Sequence, residues 1–239
     1  MKGVVLAGGK GSRLRPMTSV VNKHVIPIYD QPMIYYPVIT LAEAGIDEIL
    51  IISNADHIGK YIELLEKESD FNIEFSYKVQ SEPKGIAHAV SLAEQFVDDE
   101  FVVILGDNII IEDPGEKLTP LHSGADARIF LKQVSEPSAY GVASVDDEGK
   151  VIALEEKPDN PESNYAAIGL YVFNMQVFDV IDGLSPSDRG EYEITDVNHH
   201  FLKMGKLQYN LITGSWYDAG TPEGIFQATA EVRALRQKK

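Results

Sequence analysis

The 239-residue chain contains no cysteine. That absence removes disulfides, thiolate nucleophiles and cysteine-based zinc sites, and it points toward a cytoplasmic location. Long apolar runs are missing too. No stretch approaches the roughly 18 continuous apolar residues of a membrane span, and the opening "MKGVVLAGGKGS" puts glycines and charges where a signal peptide needs its apolar core. Neither a membrane protein nor a secreted one is expected. Positive charge is scarce, with 21 Lys and Arg against 37 Asp and Glu and a formal net charge of −16. Binding to a nucleic-acid backbone depends on clustered cations, so a nucleic-acid partner is not expected.

The few cations are unevenly spread. The first 29 residues hold Lys2, Lys10, Arg13, Arg15 and Lys23 and no acid, which leaves the other 16 bases to face all 37 acids. Local positive charge in an acidic protein suits a small anionic ligand, although a solvated basic face would look similar. With 44% hydrophobic residues the chain can fill a real core. Apolar runs at "KGVVLA", "EILIIS", "IEFSYKV", "FVVILG", "ARIFLKQV" and "AAIGLYVF" read as strands. Apolar spacing of three and four over residues 33–44, 58–65, 86–96 and 194–204 reads as helices between them. The pattern predicts an α/β fold, a mainly parallel Rossmann-like sheet flanked by helices with right-handed crossovers. After "IIIEDPGEKLTP" (109–120) come more strand-like runs, with "DDEG" as a hairpin turn, and so a β-rich second part is expected.

A glycine loop follows the first strand in "LAGGKGSRLRPMT". Glycine permits positive φ and close backbone approach, so its amides can face phosphate oxygens. Two common phosphate motifs nevertheless fail here. No Lys-Ser or Lys-Thr pair completes a Walker loop, and Leu14 stands where the third glycine of a dinucleotide fingerprint belongs. Arg13, with a planar fork, and Lys23, with a compact charge, could together neutralise a triphosphate under attack. Asp107 lies just past the carboxyl end of a buried strand, where open α/β sheets bind ligands, though a turn aspartate would read the same way. Asp218 in "GSWYDAGTPEG" is placed in a short loop before a helix starting near Thr221, where an aspartate on its own is more often a capping or turn residue.

"LAGGKGSRLRPMT" followed by "NKHVIPIYDQPMIYYP" resembles the nucleotidyltransferases that join a sugar 1-phosphate to a nucleoside triphosphate, in particular the glucose-1-phosphate thymidylyltransferases. The resemblance spans nearly the whole chain and implies a GT-A-like nucleotidyltransferase fold. It also implies a single domain over 1–239, with a nucleotide-binding half to about residue 112 and a sugar-binding half from about 113 that returns Asp218 to the metal site. "LGDN" and "W-x-D-x-G-T" are similar to the two metal motifs, making Asp107 and Asp218 ligands of Mg²⁺. Gly8, Gly9, Gly11, Ser12, Arg13, Lys23, Gln80, Gly85, Asp107 and Asn108 are implied for the nucleotide, with Gln80 reading the pyrimidine and Gly85 admitting its ring. Tyr140, Gly141, Glu156, Lys157 and Ala167 are implied for the sugar and its phosphate.

The implied activity is Mg²⁺-dependent transfer of dTMP from dTTP to α-D-glucose 1-phosphate, with Arg13 and Lys23 as catalytic cations. The resemblance further implies a homotetramer of the shorter form, feeding dTDP-rhamnose and surface-polysaccharide synthesis. A UTP-using uridylyltransferase and a non-catalytic sugar-nucleotide sensor are the alternatives. Three positions depart from the family pattern. Ser12 stands for Thr, His24 for a Gln after the catalytic lysine, and Ile168 for a Thr, which puts ligand contacts at the last two in question. Arg15 has no assigned role. Met33, Tyr35 and Tyr36 read as core or subunit contact, and the adjacent His199 and His200 as surface or packing residues, since neighbours on a helix point apart.

Overall fold

The computed structural model describes residues 1–67, 71–111 and 117–238. The boundary expected near residues 112–113 lies outside the described residues. The first strand, β1 (Lys2–Leu6), is followed by the glycine loop and a small antiparallel pair, β2 (Pro27–Ile28) and β3 (Gln31–Pro32). Next come α1 (Tyr35–Glu43), β4 (Glu48–Ser53), α2 (Ala55–Ile62), β5 (Glu74–Val79), α3 (Ile86–Ser91) and β6 (Phe101–Leu105). Gly45, with φ of +76°, turns the chain after α1 at little cost because it carries no Cβ. The helices expected over 33–44 and 86–96 are both shorter than their apolar spacing suggests.

The later elements are β7 (Asn108–Ile111), β8 (Ala127–Gln133), β9 (Gly141–Val145), β10 (Val151–Glu156), β11 (Tyr165–Phe173), α4 (Gln176–Asp182), α5 (Ile194–Lys203), β12 (Leu207–Leu211), β13 (Ser215–Asp218) and α6 (Pro222–Arg236). One nine-stranded sheet joins both halves in the order β10-β9-β11-β6-β1-β4-β5, with β8 bridging β11 and β12. β6, β1, β4 and β5 run parallel, as strands joined through helices must. The pairings around β11 are antiparallel, and "DDEG" closes the hairpin between β9 and β10 as expected.

Alternation along β1 explains the layering. Val4 and Leu6 pack on one face with α3, α4 and α5, while Val5 and Ala7 pack on the other with α1 and the buried Tyr61. A third, smaller cluster of Ile28, Met33, Ile109, Ala219, Ala228 and Val232 seats α6 beneath the ribbon formed by β7 and β13. Thr221 caps α6 by accepting the Gly224 amide at 3.0 Å, and Pro222 occupies the first turn, where no amide donor is needed. Met33 is fully buried, and the Tyr35 and Tyr36 hydroxyls donate to the Leu64 and Ile28 carbonyls.

β11 changes partners along its length. Tyr165–Ala167 pair with β9 and Leu170–Phe173 with β6, with a register shift between Ala167 and Tyr171. At this break the Gly169 amide donates to Asn108 Oδ1 at 3.0 Å, and Trp216 Nε1 donates to the same oxygen at 2.6 Å. Asn108 thereby ties the irregular part of β11 to β7 and β13. The sheet opens at the carboxyl ends of its parallel strands, and the cavity lies there.

Candidate active site

The glycine loop leaves β1 with Gly9 at φ +92° and Gly11 at φ +58°, conformations that a residue with a Cβ rarely adopts. Among the described residues, the amides of Gly8, Gly9, Lys10 and Gly11 donate to no protein acceptor, so they remain available to an anion. The Thr18 hydroxyl donates to the Gly11 carbonyl at 2.7 Å and pins the loop. Lys23 follows Asn22, whose side chain caps the next turn by accepting the His24 amide at 2.7 Å.

Across the cavity mouth the two remote carboxylates meet. Antiparallel pairing sets Asp218 opposite Asn108, and the Ala219 amide donates to the Asp107 carbonyl at 2.9 Å. Asp218 is the last residue of β13 rather than part of a loop, and this pairing is what brings it to Asp107. Lys23 Nζ lies 2.5 Å from Asp107 Oδ2, and Arg13 Nη1 lies 3.0 Å from Asp218 Oδ2. Burial pushes the Asp107 carboxyl up, but Lys23, with Arg13 beyond it, more than offsets this and holds it well below the usual carboxylate range. Asp107 therefore stays ionised.

Gly220, the glycine of the W-x-D-x-G-T motif, stands at the centre of this group. A Cβ there would come within 2.7 Å of Arg13 Nη2, 2.8 Å of Asp218 Oδ1 and 2.9 Å of Asp107 Oδ2. Glycine keeps that space open between the carboxylates. Among the described residues no group of three or more His, Cys, Asp or Glu is arranged to hold a metal. A pair of carboxylates facing an open cradle nonetheless fits Mg²⁺, which takes one or two protein carboxylates and completes its shell with waters and substrate phosphates.

The expected sugar residues form a row. Glu156 pairs with Gly141, and Gly141 with Ala167, across three neighbouring strands. Glu156 accepts from Thr195 Oγ1 at 2.6 Å and pairs with Lys157 at 3.1 Å and Arg189 at 3.4 Å. Burial raises the Glu156 carboxyl, while the Thr195 hydroxyl, Lys157 and Arg189 together bring it below its ordinary value. Lys157 turns the chain at φ +45°, a strained conformation for a non-glycine residue, and its amide donates to the Tyr140 carbonyl. The Tyr140 ring meets Trp216 edge-on at 5.3 Å.

The two ion pairs, Gly8 and Gly9 of the loop and the row around Glu156 line one cavity of about 570 Å³, within the range for a small-molecule site. Every residue of the expected set borders it except Gly11, which shapes the loop behind. Arg189, Thr195, Asn198 and Trp216 also line it, although no role was expected of them. Thr195 and Asn198 stand three apart on α5, a spacing that shares one helix face and was legible in "EITDVN". Asn198 is 2% exposed and its Oδ1 has no partner.

Other positions lie around the cavity or away from it. Gly85 (φ +102°) borders the cavity, and the Tyr192 backbone, 2.5 Å from where a Cβ would be, leaves room for glycine alone at this position. His24 is 1% exposed and points away from the cavity, with Nδ1 3.1 Å from Tyr61 Oη and its ring edge against Gly106. Burial, with Lys23 beside it, holds its imidazole well below the usual pKa and keeps it neutral. Ile168 is buried in the cavity wall. Arg15 and His200 are exposed, and His199 is partly so.

Residues 2–234 match the sequence profile described as Nucleotidyl transferase. The chain belongs to this family. It is 40% identical over 243 residues to the glucose-1-phosphate thymidylyltransferase of Mycolicibacterium smegmatis, covering 100% of this chain and 84% of that protein. It is 45% identical over 231 residues to the low-salt glycan biosynthesis nucleotidyltransferase of Haloferax volcanii, covering 95% of this chain and 65% of that one. A crystal structure from Bacillus anthracis, described as a glucose-1-phosphate thymidylyltransferase in complex with sucrose, superposes with a TM-score of 0.90 at 44% identity, over 98% of this chain and 95% of that one. UDP-glucose pyrophosphorylase complexed with UDP-glucose superposes with a TM-score of 0.85 at 26% identity, over 100% and 99%. The chain is thus a nucleotidyltransferase with the GT-A-like fold of these neighbours. Among its described residues no helix is long and apolar enough to cross a membrane.

Proposed function

We propose that this nucleotidyltransferase moves dTMP from dTTP to the phosphate of α-D-glucose 1-phosphate, with Mg²⁺ as its metal, giving dTDP-glucose and pyrophosphate. The observation that carries the reading is the meeting of the Lys23–Asp107 and Arg13–Asp218 pairs around Gly220, beside glycine-loop amides without protein acceptors. In this reading the loop amides hold the triphosphate, Gln80 reads the base, and the row of Glu156, Gly141 and Ala167 receives the sugar. Lys157 and Arg189 are the cations within reach of its phosphate. The first half of the chain, to about residue 112, thus serves the nucleotide and the second half the sugar.

A sugar-phosphate oxygen attacks the α-phosphorus in line. The bond from that phosphorus to the α,β-bridging oxygen breaks, and pyrophosphate leaves with the electron pair. The nucleophile is already anionic, so no general base is required, and the protein contributes positioning and charge neutralisation. Lys23 offsets charge on the α-phosphate and the incoming phosphate, and Arg13 does so on the departing β- and γ-phosphates. Bound at Asp107 and Asp218, Mg²⁺ would supply further charge neutralisation and hold the phosphates in line.

Pyrophosphate release tests this reading, using purified protein, Mg²⁺ and each pair drawn from dTTP, UTP, dCTP and several hexose 1-phosphates. The expected result is fastest release with dTTP and glucose 1-phosphate, loss on adding EDTA and recovery with excess Mg²⁺. No release with any pair would overturn it. UTP use is the second reading, because a glutamine amide pairs equally with uracil and thymine and the UDP-glucose enzyme shares the fold. The relative kcat/KM for dTTP and UTP separates the two. A cytoplasmic homotetramer supplying dTDP-glucose to deoxysugar synthesis for surface polysaccharide fits the same reading, and sedimentation tests its assembly.

A further inference from the structure

Gln80 follows β5, and its backbone amide is anchored on the Ser53 carbonyl at 2.7 Å. Its side-chain amide is nearly buried and borders the cavity. The nitrogen, Nε2, lies 3.0 Å from His88 Nδ1 on α3. The oxygen, Oε1, turns the other way, over the glycine loop, 2.9 Å from where a Cβ on Gly8 would sit. Since Nε2 can only donate, His88 Nδ1 accepts, and its imidazole is held as the Nε2–H tautomer.

A glutamine amide does not by itself distinguish the pyrimidines. Thymine and uracil present an N3–H donor between carbonyl acceptors, and cytosine presents an N3 acceptor beside an amino donor. An amide free to turn over can match either edge. Here turning over would set the Gln80 oxygen against the lone pair of His88 Nδ1. We propose that His88 is a positioning residue that locks the Gln80 amide with its oxygen toward the base, selecting thymine and uracil over cytosine. The inference rests on the reading of Gln80 given under Proposed function.

The lock has a defined weakness. Protonation would turn Nδ1 into a donor and favour the reversed amide. The groups facing His88 are Lys84 and Glu82 from the preceding loop and the Tyr192 ring, whose centroid is 6.5 Å away. Burial and Lys84 lower its pKa against the opposing pull of Glu82, so the lock holds at neutral pH and loosens on the acid side of the usual histidine value.

The test measures kcat/KM for dTTP and dCTP with glucose 1-phosphate between about pH 5.5 and 8. His88→Phe keeps the ring and removes the lone pair. The dTTP-to-dCTP ratio should fall at least about tenfold, mainly through a higher KM for dTTP. His88→Asp places an acceptor-only Oδ near the position of Nδ1, so it should retain the ratio and abolish any fall in that ratio at low pH. A folded His88→Phe protein with the wild-type ratio would overturn the proposal, as would an acid-side fall persisting in His88→Asp. If thermal melting shows His88→Phe to be unfolded, His88→Leu takes its place with the same expectation. Wild-type protein that turns over neither dTTP nor UTP would instead count against the proposed function.

Discussion

Two ion pairs face each other across one cradle, yet they are built differently. Lys23 and Asp107 lie 2.5 Å apart with side chains 14% and 9% exposed, whereas Arg13 and Asp218 lie 3.0 Å apart with 56% and 11% exposed. Behind Lys23 stand the Asn22 cap and the buried His24–Tyr61 contact. Arg13 rides on an exposed turn after Gly11. The first pair lies in the interior, which under the proposed reading suits the phosphate that reacts. The second reaches the surface through Arg13, which under the same reading suits the group that departs. Removing a partner should therefore cost stability on one side of the cradle and very little on the other.

The largest effect is expected from Lys23→Ala. Turnover should fall by about three orders of magnitude, as for loss of a central electrostatic contact. Unfolding free energy should drop by about 3–5 kcal/mol, because the buried Asp107 carboxylate is left unpaired. Steady-state rates and urea unfolding check both, and wild-type stability in this variant would erase the contrast. Asp107 sharpens the same point through pH. Its folded pKa is depressed, so its contribution is complete above the unfolded value of about 3.9 and is lost as pH falls through the lower folded value. Asp107→Asn should remove that part of the acid dependence from the urea midpoint below about pH 4.

Arg13→Ala should slow turnover by about a hundredfold while changing stability by less than about 1 kcal/mol, as an exposed pair allows. A large stability loss would show that the two pairs are not different in kind. Gly220→Ala tests the space between them. Its Cβ would press on Arg13 and on both carboxylates, so the carboxylates must shift and the protein should need about tenfold more Mg²⁺ for half-maximal rate. An unchanged Mg²⁺ titration would argue against the cradle as the metal position.

The smallest effect on turnover concerns support for the Arg13–Asp218 pair. Glu231 on α6 accepts from the Ser215 hydroxyl at 2.8 Å and from the Tyr217 hydroxyl, fastening the helix to the strand that ends at Asp218. Glu231→Ala should cost about 1–3 kcal/mol in thermal unfolding, as loss of a partner for two hydroxyls implies. Turnover should change only a few-fold.

Legibility in the sequence followed the range of the interaction. The glycine loop, the strands before Gln80 and Asp107 and the "DDEG" hairpin depend on a few consecutive residues, and their positions could be read from the pattern. The burial of His24 could not, because Tyr61 and Gly106, which cover it, are distant in sequence. Nor could the crowding at Gly85, where the Tyr192 backbone more than a hundred residues away leaves no room for a Cβ. His88 and Gln80 are eight residues apart, but only the turn between β5 and α3 brings their nitrogens together.

By itself the sequence determined an acid-free cationic loop after a buried strand, an α/β layering with ligand groups at strand ends, and membership of a family, since each is written in local composition and spacing. Beyond what the family resemblance implied, composition and spacing did not bring Asp107 and Asp218 into one cradle; the tertiary structure did. Their meeting depends on the antiparallel ribbon of β7 and β13, with Asn108 joining Trp216 to the break in β11. Pairing between segments about a hundred residues apart is set by long-range packing and leaves no mark in the local pattern of either strand.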